Sequence, residues 1–86
     1  MPEISRFFGI VIRMYFDDHN PPHFHAIYCG DEAQIGIEPI EILNGSLPGR
    51  AASMVFEWAA IHQRELMLNW HRLQTEQLSQ RIDPLK

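Results

Sequence analysis

The spacing of apolar residues changes once along this chain, near residue 48, and that change restricts the folds open to it. Before it, apolar side chains recur with the period of two that a pleated strand needs; after it, with the 3.6 of a helix. Residues 6–16 are β-branched and aromatic and read as a first strand. Residues 17–22, Asp-Asp-His-Asn-Pro-Pro, are turn chemistry. Residues 23–29 and 33–38 read as further strands, with a turn over Gly30-Asp31-Glu32. Past Pro39, residues 40–43 make a short fourth segment at an edge. Beyond Gly49 there is no glycine, and no proline until Pro84. Ala52, Val55, Phe56, Ala59, Leu66, Trp70 and Leu73 form one helical stripe, which Gln63 interrupts with a bend or a polar notch. Ser46 is the expected N-cap, Pro48 lies in the first turn, and Pro84 marks a loose tail. The expectation is one α+β domain: a three- to four-stranded antiparallel sheet over about 6–43, with one long C-terminal helix over about 48–80 packed on one face.

Register decides where the functional side chains go, because a slip of one residue turns a strand over. Phe8, Ile10, Ile12, Met14 and Phe16 form one apolar set, and Phe24, Ala26 and Tyr28 another. Pairing these under the helix, with Ile35 and Ile37, sends Arg13, Tyr15, His23, His25, Gln34 and Glu38 to the opposite face. An antiparallel sheet tolerates leaving that face open.

The turn itself concentrates chemistry. Asp18-His19-Asn20-Pro21-Pro22-His23-Phe24-His25 holds three of the five histidines, stiffened by two prolines. On a strand, His23 and His25 project from one face, about 7 Å apart at the backbone. Three readings follow. His23 and His25 could share a divalent metal such as zinc, manganese or nickel, with His19 or Asp18 as third ligand. They could act as a general acid and base, with Arg13 gripping a phosphate or carboxylate and Tyr15 donating a hydrogen bond. Or the imidazoles could tie the hairpin shut. For Arg13 the plain alternative is a pair with Glu38, and for Tyr15 cross-strand packing. His62 reads as a boundary histidine, His71 as solvated, Trp58 and Trp70 as core or dimer contacts, and Cys29 as a small buried hydrophobe.

Composition narrows the partners. The net charge is −4 and Lys86 is the only lysine, which does not support nucleic-acid binding. A lone cysteine makes no intrachain disulfide. No apolar run approaches the ~20 residues that span a bilayer, and the N-terminus lacks a signal peptide's basic region, so the expected location is the cytoplasm. A domain of 86 residues has a thin core, which homodimerisation would help.

Ile4-Ser5-Arg6-Phe7-Phe8-Gly9, Arg13-Met14-Tyr15-Phe16, the Asp18–His25 segment, Glu57-Trp58 and Asn69-Trp70 together resemble the bacterial domain-of-unknown-function family number 4160. The resemblance covers nearly the whole chain. It implies a small cytoplasmic domain often encoded beside a second small protein, with a part in transcriptional regulation or in toxin–antitoxin-like pairing. It brings no activity with it. Two functions are therefore expected: a partner-binding module of a two-component pair, or a small RNase-like or metal-dependent phosphodiester hydrolase built on His19, His23 and His25.

Overall fold

The computed structural model describes residues 3–16 and 18–86. Asp17, read above as turn chemistry, lies outside the described residues. The chain is α+β, with strands β1 (Glu3–Phe7), β2 (Ile10–Arg13), β3 (His23–Tyr28), β4 (Asp31–Gly36) and β5 (Ile42–Gly45), then helices α1 (Gly49–Ile61) and α2 (Gln63–Gln74). The sheet is antiparallel and its order is the order of the sequence.

Among the described residues there are five strands, not three or four. The stretch read as one strand from residue 6 to 16 folds back at Phe8-Gly9, where both residues have positive φ (49° and 81°) and Phe7 faces Ile10. Two consecutive left-handed residues make the two-residue turn whose twist matches a hairpin. Its usual marker is Asn-Gly or Asp-Gly; phenylalanine in the first position hides it. Cys29-Gly30 repeats the device between β3 and β4 (φ 49° and 86°), so Cys29 is an exposed turn residue, not a buried hydrophobe. Phe8 and Phe16 are likewise exposed rather than in the core.

Across β2, β3 and β4 the pairs Ile12–Ala26–Ala33 and Phe24–Ile35 are all buried. They pack with Val55, Trp58, Ala59, Leu66 and Trp70 in one core. Arg13 stands opposite His25, on the other face.

The single long helix is two. His62 leaves helical geometry (φ −111°, ψ 24°), and the Gln63 amide donates to the Ile37 carbonyl at 2.7 Å. The polar notch in the stripe is thus where the chain turns. His62 Nδ1 lies 2.6 Å from Glu65 Oε1, a local tie at that corner. Helix α1 starts at Gly49 behind Pro48, with no side-chain cap from Ser46. Helix α2 ends at Gln74, not near 80.

The tail after α2 is a strap rather than a loose end. Ile82 is buried, its N–H donates to the Ile4 carbonyl at 2.8 Å, and Trp58 Nε1 donates to the Asp83 carbonyl at 2.8 Å. Asn69 clasps Gln80 in both directions: Nδ2 donates to its carbonyl at 2.8 Å, and Oδ1 accepts its N–H at 2.9 Å. Arg81 adds an ion pair to Glu3, which also holds Arg6 at 2.9 Å.

The Arg6 hydrogen bond, followed by that of Arg81, holds the Glu3 carboxyl below its ordinary value near 4.5. A depressed carboxyl contributes stability that is present above the unfolded-state value and is lost as pH falls through the folded one. The melting-temperature gap between wild type and Glu3→Gln should therefore be open at neutral pH and shrink progressively below about pH 4.5. Because the pair is at the surface, 0.5 M salt should shrink it too. A gap that widens in acid would contradict this sign.

Candidate functional site

The histidine face is not open. His23 and His25, two apart on β3, are each 6% exposed, with Tyr15, Asp18 and Pro21 set against their rings. Tyr15, just past β2, packs its ring nearly perpendicular to that of His25, with centroids 4.7 Å apart and planes at 81°. His23, at the mouth of β3, stacks at a tilt on Trp70 of α2 (5.4 Å), so this end of the sheet also meets the second helix. The Gln74 amide reaches the Asp18 carbonyl at 3.3 Å from the far end of α2.

Asp18 is the hub. Its Oδ2 lies 2.9 Å from His25 Nε2 and 3.2 Å from His23 Nε2. The other nitrogen of each ring is also engaged. His23 Nδ1 lies 2.8 Å from the Pro21 carbonyl, and His25 Nδ1 lies 2.9 Å from Glu32 Oε2 on β4. A carbonyl only accepts, so His23 Nδ1 carries the hydrogen. In a neutral ring that leaves a lone pair on Nε2, aimed at a carboxylate.

His19 does not join this group. It is exposed and lines a hollow of about 330 Å³ beside the cluster, with Asp18, Asn20, His23, Gln34 and Leu43. Arg13 does not pair with Glu38 among the described residues; its Nε is buried without a hydrogen-bond partner there. Glu32, whose side chain fixes His25 from the neighbouring strand, was not among the residues singled out by sequence. Only the pairing of β4 with β3 brings it there.

The model of the family described as a domain of unknown function, DUF4160, matches residues 9–71. The chain belongs to the DUF4160 family. The match takes in the turn, both buried histidines, Glu32 and the Asn69-Trp70 pair, and leaves out β1 and the strap that binds it. Comparison with curated proteins and with solved structures finds no match. Among the described residues of this DUF4160 member, no helix is long and apolar enough to cross a membrane.

The other end of the sheet has a different character. The two tight turns, Phe8-Gly9 and Cys29-Gly30, emerge there together, and the start of α1 lies beside them. Phe8, Tyr28, Pro48, Ala51 and Met54 line a mainly apolar hollow of about 410 Å³, with Arg50 as its one charged lining residue among the described residues.

Proposed function

We propose that this DUF4160 domain is a partner-binding module, one half of a pair whose other half is a small protein encoded beside it. Phe8 carries the reading. An aromatic side chain there is 60% exposed and holds a left-handed backbone. That conformation costs a non-glycine residue about 1–2 kcal/mol, and asparagine would fill the position with less strain. Strain and apolar exposure at one residue, beside an apolar hollow, support a contact surface for a protein. The net charge of −4 argues for protein over nucleic acid.

The other expected function, a small hydrolase, draws support from the buried Asp18–His23–His25 group beside its hollow. Against a phosphodiester substrate, no lysine or arginine among the described residues lines that hollow.

Co-expression with the neighbouring gene product, followed by size-exclusion, separates the two. Wild type should co-elute with it and gain thermal stability by mass action. Phe8→Asn should melt at the same temperature or higher alone, yet lose at least tenfold in affinity. If Phe8→Asn binds like wild type, and wild type but not His25→Gln cleaves RNA, the enzyme reading replaces this one.

A further inference from the structure

We infer that Asp18, His23 and His25 form a binding site for a first-row divalent transition-metal ion, with zinc the first to test. This goes beyond the partner-binding reading and concerns the opposite end of the sheet. One donor atom from each residue lies within 4.8 Å of the others. Two donors each 2.0–2.1 Å from a zinc ion at the tetrahedral angle are about 3.3 Å apart. The Asp18 oxygen sits 2.9 Å and 3.2 Å from the two Nε2 atoms, close to that spacing.

The surroundings match what ligating histidines need. Such a ring donates its second N–H to a carbonyl or carboxylate, which fixes the tautomer and leaves the ligating lone pair free. His23 has the Pro21 carbonyl for this, and His25 has Glu32. Both rings therefore present the same nitrogen, Nε2, to the same oxygen. Without a cation, satisfying all four ring contacts would take two extra protons, one on each Nε2. A divalent ion supplies the same two charges from one atom. It also answers why two histidines 6% exposed both turn Nε2 toward one carboxylate oxygen.

Three protein ligands leave at least one coordination position open. The hollow lined by Asp18, His23, His19, Asn20 and Gln34 gives an ion a way in and an added ligand room beside it. Two imidazoles and a carboxylate suit zinc, iron, cobalt, nickel or manganese better than calcium or magnesium, which prefer all-oxygen shells.

The test uses the full chain without a histidine tag, stripped by chelator and titrated with zinc, cobalt(II) and nickel by calorimetry. One ion per chain should bind, with a Kd for zinc below about 1 μM, and cobalt should give a visible d–d spectrum. Asp18→Asn changes a partly exposed loop residue and should keep the wild-type circular dichroism while binding zinc at least 100-fold more weakly. Glu32→Gln, outside the ligand set, should lose about 10-fold or more through its hold on His25. A wild type that saturates with none of the three ions would overturn the site. So would folded Asp18→Asn with unchanged zinc affinity.

Discussion

Trp58→Ala should lower the unfolding free energy by about 3–5 kcal/mol. Trp58 is fully buried and sits at the centre of the aromatic cluster, with Phe7 at 5.4 Å, Phe24 at 5.8 Å and the His62 ring at 5.6 Å. Its indole N–H also anchors the strap at Asp83. At about 0.05–0.15 kcal/mol per residue, a domain this size has roughly 4–13 kcal/mol in total, so the substitution takes a large share or all of it. Trp58→Phe keeps most of the volume and gives up the strap's hydrogen bond, and should cost only about 1–2 kcal/mol. Urea unfolding measures both. A cost for Trp58→Ala under 1 kcal/mol would mean that the core is not organised around this side chain.

Gly45→Ala is the second large effect. Gly45, the last residue of β5, has φ +76°, and a Cβ there would lie 2.2 Å from the Glu32 carbonyl oxygen and 3.1 Å from the Ala33 Cα. Both obstacles are backbone of the paired strand, so β5 has to move off β4. Gly30 is the control: its φ is +86°, but a Cβ there meets nothing within 4 Å. Gly30→Ala should cost only the left-handed strain, about 1 kcal/mol. Gly45→Ala should cost about 3 kcal/mol or more, the excess being the clash. Equal melting temperatures for the two variants would show that β5 is not held against β4.

These two sites also show what the sequence discloses and what it conceals. The change of period near residue 48 marks the sheet-to-helix transition, and the apolar sets of β2 and β3 specify a register that opposes Arg13 to His25 and buries Ile12 with Ala26. Gln63 reveals the corner between the helices because a polar side chain in an apolar stripe needs a partner. Phe8-Gly9 does not reveal its turn, since its first residue is one that local preference would exclude. The strap is hidden for a related reason: Asn69 and Trp58 hold backbone carbonyls and N–H groups of the tail, and any residue type offers those. At the candidate site, the two histidines of β3 are legible from their spacing alone. The exclusion of His19 is not, because it depends on tertiary placement: His19 is exposed, while Asp18 beside it meets both rings. Glu32 is out of reach of local reading, seven residues from His25 and brought to it by strand pairing.

The strap also sets an order of events during synthesis. Every pairing in the sheet joins strands adjacent in sequence, so each hairpin can close as its second strand emerges. The hydrogen bond to the Ile4 carbonyl of β1 comes from Ile82, 78 residues later, and is among the last contacts made. Until then the outer edge of β1 lacks that contact, and an open edge is the kind that templates association between chains. A chain stalled or truncated before residue 82 would keep the sheet, the turn and both buried histidines and leave that edge exposed. Its failure would show as aggregation rather than as loss of the site.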